Sequence, residues 1–328
     1  MDPIVETKKI TKTYGLVRAL SDVSLSIPPG ATGLLGPNGA GKSTLIRTLI
    51  GLVQATSGTG TIFNHDISTD GLAIRQRIGY MPEHECLMQD MSAVEMVAYA
   101  GVVSGMPQND AMQRAHEVLH FMGIRDERYR EIGTYSTGMK QKVNLAQSLV
   151  HDPDLLFLDE PTNGLDPKGR DEMMELIGFL AKEKGKSIIL SSHILPDVEA
   201  VCEHIVVLAA GEVLMQGNLK EQLLGSSGIV NVRVMGNSPD FIRRIRDLGY
   251  GVEDLGGGVM KIGVHRTGEG NDQSVIDADL FRVVIQAASE SGVQLRYASK
   301  SVMNLEDLFI DIVEKKGSQI GSTGGGGV

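Results

Sequence analysis

The chain has 328 residues, a formal net charge of −10 and two cysteines, Cys86 and Cys202. That length accommodates two domains, and the acidic balance works against general nucleic-acid binding, where phosphate contacts supply most of the affinity. The widely separated cysteines predict a reducing compartment without a disulfide framework, and without an apolar run of about eighteen residues or a charged-then-apolar N-terminal segment, neither a transmembrane helix nor a signal peptide is expected.

Residues 4–63 read as strand-rich. Within them Thr32-Gly33-Leu34-Leu35 is a candidate strand, and a helix is expected over Leu45 to Leu49. Between the two lies Gly36-Pro37-Asn38-Gly39-Ala40-Gly41-Lys42-Ser43-Thr44, which fits the P-loop pattern of spaced glycines followed by Lys and Ser/Thr. Glycines let backbone N–H groups turn inward around an anion, and the helix N-terminus adds its positive dipole end. Lys42 can then reach the β- and γ-phosphates, and the Ser43 hydroxyl can ligate Mg²⁺.

After Gly79-Tyr80-Met81-Pro82-Glu83, residues 84–135 read as helical, with apolar residues at helical spacing over Ala93 to Val103 and Ala111 to Met122. The segment Tyr135-Ser136-Thr137-Gly138-Met139-Lys140-Gln141 opens a helix expected over Gln141 to Val150. Ser136 can cap it, and the free N–H groups of Thr137 and Gly138 make a second anion site.

Leu155-Leu156-Phe157-Leu158-Asp159-Glu160 reads as a short, fully buried strand delivering two carboxylates at its end. One can hold a Mg²⁺ shell, and the next can orient or deprotonate an attacking water. Pro161-Thr162-Asn163-Gly164-Leu165-Asp166-Pro167 and a helix follow, then a strand from Ser187 to Leu190 running into Ser191-Ser192-His193.

Strand and helix alternate to about Leu224, where Gly225-Ser226-Ser227-Gly228 reads as a linker. Beyond it the expected strands are Ile229 to Met235, Tyr250 to Asp254, Val259 to Val264 and Val293 to Ala298, with a turn at Gly256-Gly257-Gly258. Helices are expected over Asp240 to Leu248, Phe281 to Ser291 and Leu305 to Glu314, which gives the β-α-β-β-α-β order of the ferredoxin-like pattern. No catalytic constellation is seen there. Gly317 to Val328 is Gly/Ser-rich, and disorder is expected.

The joint order Gly36–Thr44, Tyr135–Gln141, Leu155–Glu160, Asn163–Asp166 and His193 resembles the nucleotide-binding subunit of ABC transporters, in particular those of exporters. The resemblance covers about residues 4–220 and implies an α/β P-loop ATPase domain over 4–224 with a helical subdomain over 84–135; the spacing beyond it predicts an accessory α/β domain over 229–316 and a Gly-rich tail over 317–328. It implies that Tyr14 stacks on adenine and that Gly36 to Thr44 cradle the phosphates of ATP. Ser43, Glu83 and Asp159 would hold Mg²⁺, Glu160 would be the catalytic base, and His193 would contact the γ-phosphate. Ser136 and Gly138 would reach the nucleotide of a second copy, making a homodimer.

An integral membrane permease is the implied partner, with the chain cytoplasmic and peripheral on the inner face of the membrane. Two segments depart from the family pattern: Tyr135-Ser136-Thr137-Gly138-Met139 stands where Leu-Ser-Gly-Gly-Gln is usual, so Met139 replaces Gln, and Glu83 stands where Gln more often follows the proline. The alternative is a soluble ABC-type ATPase acting on nucleic acid or the ribosome. Such proteins usually carry two cassettes, a long coiled-coil insertion or iron–sulfur cysteines, which this chain lacks.

Overall fold

The computed structural model describes residues 2–84, 86–225, 229–236, 238–264, 273–300 and 304–310. In chain order the first strands are β1 (Val5–Tyr14), β2 (Val17–Ile27) and β3 (Ala31–Leu35). The second shows the alternation of a half-buried strand: Val23, Leu25 and Ile27 point inward while Asp22, Ser24 and Ser26 face solvent. Next come α1 (Lys42–Leu49), β4 (Ser57–Ile62), β5 (His65–Asp66), α2 (Gly71–Arg75) and β6 (Ile78–Met81).

The expected helical insert contains α3 (Ala93–Val103) and α4 (Gln108–Phe121). A capping box opens α3: Ser92 Oγ accepts from Glu95 N, and the Glu95 carboxylate accepts from Ser92 N. The second helix begins at Gln108 rather than Ala111, because Pro107 sets an extended entry and the polar first turn still forms.

Then follow α5 (Thr137–Leu149), β7 (Leu155–Asp159), α6 (Pro167–Lys182), β8 (Ser187–Ser192), α7 (Leu195–Val201), β9 (His204–Ala209), β10 (Glu212–Asn218) and α8 (Leu219–Gly225). Helix α5 starts at Thr137, earlier than the expected Gln141, because Ser136 Oγ accepts from Met139 N and caps the helix there.

Two sheets organise these elements. One is antiparallel with order β2-β1-β4-β5; the other has order β10-β9-β3-β8-β7-β6 and is parallel except for β10. Every residue of β7 is fully buried, as the continuous apolar run Leu155–Leu158 requires of an inner parallel strand. One hydrophobic core joins both sheets through Leu45, Ile46 and Leu49 of α1, which pack with Val23, Ile62, Phe157 and Val206. That packing fixes α1 under the loop leaving β3.

The chain divides into two compact units, Met1–Leu219 and Lys220–Val328. The second contains β11 (Ile229–Met235), α9 (Ser238–Asp247), β12 (Tyr250–Gly256), β13 (Val259–Val264), α10 (Gln273–Glu290) and β14 (Gln294–Lys300). Its sheet is antiparallel with order β12-β13-β11-β14, the arrangement of the ferredoxin-like pattern. Val230, Val232, Phe241, Ile262 and Val284 lie in its own core. Residues 305–310 are helical; the rest of the helix expected to Glu314, the Ser226–Gly228 part of the linker and the tail 317–328 lie outside the described residues. Among the described residues no helix is long and apolar enough to cross a membrane.

Candidate nucleotide site

Strand β3 ends at Leu35, and the chain must turn at once beside its neighbour β9. A Cβ on Gly36 would lie 2.4 Å from the Leu208 carbonyl oxygen, so only glycine fits. Helix α1 begins at Lys42, whose chain curls back: Nζ donates to Gly36 O at 2.7 Å and lies 3.5 Å from Pro37 O. The lysine is 6% exposed.

The ends of β7 and β8 meet this loop from the side. Ser43 Oγ donates to Asp159 Oδ1 at 3.2 Å, and Ser191 Oγ donates to the same oxygen at 2.5 Å. Asp159 Oδ2 is buried with no hydrogen-bond partner. Glu160 follows with φ of 51°, an uncommon value for a non-glycine residue, held by its N–H donating to Ser191 O and Oγ. This turn aims the side chain into the cleft. Glu160 Oε1 lies 3.5 Å from Lys42 Nζ, and His193 Nδ1 donates to Glu160 Oε2 at 2.7 Å. Glu160 is 7% exposed, whereas the His193 side chain is half-exposed.

A cleft of about 530 Å³ opens over these groups, lined by Asn38 to Thr44, Ala19, Glu83, Glu160, Asn163 and His193. Gly36 and Pro37 form its support rather than its wall. Asn163 Nδ2 donates to Glu83 Oε1 at 3.5 Å, placing that carboxylate at the cleft edge. Tyr14 does not line this cleft. It ends β1 with 46% exposure, its ring centroid 4.9 Å from Lys12 Nζ.

Ser136 and Gly138 are not brought to this cleft. They line a second one of about 520 Å³, with Met139, Lys142 and Gly164 to Asp166. The two clefts share no lining residue, yet the loop after β7 serves both: Glu160 and Asn163 face one, Gly164 to Asp166 the other.

The residues present fit a Mg²⁺ ion. The orphaned Asp159 Oδ2, with Ser43 Oγ on its other oxygen, is a hard oxygen donor of the type that ion takes. No cluster of three His, Cys, Asp or Glu exists among the described residues, so phosphate oxygens and water would complete the shell. Sequence reasoning passes over Ser191 and Asn163 as site residues. Both stand in segments that carry motifs, but their partners Asp159 and Glu83 are distant in sequence, and strand pairing alone reveals them.

A family model described as ABC transporter matches residues 20–163. The linearmycin resistance ATP-binding protein LnrL of Bacillus subtilis is 31% identical over 312 residues, spanning 94% of this chain and 98% of that protein. The daunorubicin/doxorubicin resistance ATP-binding protein DrrA of Streptomyces peucetius is 35% identical over 218 residues, 66% of each chain. Among solved structures, the dimeric ATP-binding cassette MJ0796 in a post-hydrolysis state bound to ADP and Pi superimposes with a TM-score of 0.60 at 28% identity, covering 66% of this chain and 98% of that one. A P-loop facing paired carboxylates, together with these likenesses, places the chain in the ABC transporter family as an ATP-binding, ATP-hydrolysing subunit.

Proposed function

We propose that this chain powers an exporter, working as two copies that close around ATP beneath a separately encoded integral membrane permease. The observation that carries the two-copy reading is the separation of the clefts. Lys42 and Ser136 both suit phosphate, but in one chain they line different walls. A nucleotide on Lys42 of one copy would be completed by Ser136 and Gly138 of another, and two-fold symmetry would repeat the arrangement. The names of LnrL and DrrA concern resistance to small molecules, which supports export; the dimeric cassette supports the pairing.

Within each site the backbone N–H groups of Asn38 to Thr44 would bind the phosphates, with Lys42 at the β- and γ-positions. Tyr14, exposed on its strand end, would meet the adenine. Ser43, Asp159 and Glu83 would hold Mg²⁺, which when bound neutralises charge on the phosphate oxygens. Glu160 would take the proton of the attacking water at Oε2, and His193 would contact the γ-phosphate while holding Glu160 in line. Loss of the γ-phosphate would release the two copies, and that motion would be passed to the permease.

Sedimentation tests the assembly. Glu160→Gln protein with ATP should shift from monomer to dimer, and Ser136→Arg should block the shift without lowering monomer affinity for ATP. A trapped mutant that remains monomeric at all concentrations would overturn the two-copy site.

A further inference from the structure

Three acidic side chains are buried among the described residues. Asp159 and Glu160 belong to the nucleotide cleft. The third, Asp197, is 3% exposed and lines neither cleft. It lies in the first turn of α7, shortly after His193.

Both of its oxygens are engaged by the segment that follows β7. Asp197 Oδ2 accepts from Thr162 Oγ1 at 2.9 Å, and Oδ1 accepts from Arg170 Nε at 2.6 Å. Thr162 is itself buried at 4% exposure and stands just after Glu160. Arg170 is in the first turns of α6, whose cap is Asp166. One carboxylate thus fastens both ends of the loop 160–170 to the turn carrying His193. Thr162 sits where that loop divides, with Glu160 and Asn163 turned to one cleft and Gly164 to Asp166 to the other.

The Asp197 carboxylate is buried while the Arg170 side chain is 31% exposed, and an ion pair of this kind adds little net stability, so it is better accounted for by the geometry it fixes. We propose that Asp197 is a positioning residue: it clamps Thr162 and Arg170 to the His193 turn, so the wall of the Lys42 cleft and the wall of the Ser136 cleft shift as one body. In a pair of copies this clamp carries the state of one nucleotide site to the wall of the other. The inference rests on Glu160 being the catalytic base.

Thr162→Val tests it gently, since the shape is kept and Asp197 retains Arg170. The expected result is a fall in kcat of about tenfold or more, because small misplacements of catalytic groups are costly, with KM little changed. Thr162→Ser restores the donor and should bring kcat back to within about threefold of wild type. In Glu160→Gln protein, Thr162→Val should also weaken the ATP-dependent dimer several-fold while leaving monomer affinity for ATP unchanged. A kcat for Thr162→Val within about twofold of wild type, or an equal loss in the Val and Ser variants, overturns the clamp. Glu160→Gln alone, assayed alongside, separates the two ideas: turnover surviving there overturns the base assignment instead.

Discussion

His193 Nδ1 and Glu160 Oε2 are 2.7 Å apart although they leave the ends of different strands, β8 and β7. The other carboxylate oxygen faces Lys42 Nζ at 3.5 Å. Under the proposed mechanism an entering γ-phosphate would compete with Glu160 for Lys42, while His193 Nδ1 would keep its contact with Glu160. The buried carboxylate that would receive the water's proton is held in place beforehand, from one side by the buried Lys42 and from the other by the half-exposed His193.

Glu160→Gln separates binding from chemistry at this point. The substitution keeps the shape, removes a negative charge beside Lys42 and leaves the loop Gly36 to Thr44 untouched. Phosphate release should fall by about 10²–10⁴-fold. Equilibrium binding of a fluorescent ATP analogue should be equal or tighter. Turnover within about threefold of wild type would remove Glu160 from its role.

Much of this site can be read from residue order because its determinants are local. Gly36 to Thr44 bend and cap within a few residues, and Asp159 and Glu160 end an apolar run that only an inner strand accounts for. The pairing of Ser191 with Asp159 and of Asp197 with Thr162 cannot be read, since each joins residues more than thirty positions apart. The start of α5 is displaced for a local reason: Ser136 is legible as a cap, and the helix it caps begins at the very next residue, not at Gln141. In the second unit, periodicity marks strands and helices, while the order β12-β13-β11-β14 is a property of long-range pairing.

The tight turn at Gly36 gives a second test. Alanine there would put Cβ 2.4 Å from Leu208 O and 2.9 Å from the Ala40 Cβ, so the loop must move. ATP affinity should drop by about tenfold or more, because the loop's N–H groups would no longer converge. Gly105 is the control. Its φ is 99° and a methyl group added there would meet nothing within 4 Å, so alanine adds backbone strain of about 1–2 kcal/mol without touching the cleft. Gly105→Ala should lower the melting temperature and leave ATP affinity unchanged. Equal affinity in the two variants would remove Gly36 from its supporting role.

The cysteines predict an alkaline limb of stability. Burial pushes the Cys202 thiol from 9.0 up to about 12, since the thiolate would lose its hydration. The folded pKa lies above the unfolded one, so the stability is fully present below the unfolded value. It is lost as pH rises from about 9 towards 12, where the unfolded chain releases the proton first. Between pH 8 and pH 10 wild type should lose about 1 kcal/mol more than Cys202→Ala in urea unfolding. In the folded protein a thiol reagent should label exposed Cys86 quickly and Cys202 only after denaturation. Parallel pH profiles for the two proteins would contradict the burial argument.

Ser136 has two duties that substitution can tell apart. Its Oγ accepts from Met139 N at 3.3 Å and caps α5. Ser136→Ala should therefore cost about 1 kcal/mol, which for a domain of this size lowers the melting temperature by about 2–4 °C. It should not alter ATP binding to the monomer, because the Ser136 and Lys42 clefts have no residue in common. Met139→Gln probes the other duty. Only the backbone of Met139 serves the cap, so the melting temperature should hold. The added amide gives the Ser136 cleft a donor that methionine lacks, and the ATP-dependent dimer of Glu160→Gln protein should tighten in sedimentation. If Met139→Gln instead changes ATP affinity in a strictly monomeric sample, the Ser136 cleft acts within its own chain, and the assignment of that cleft to a second copy is wrong.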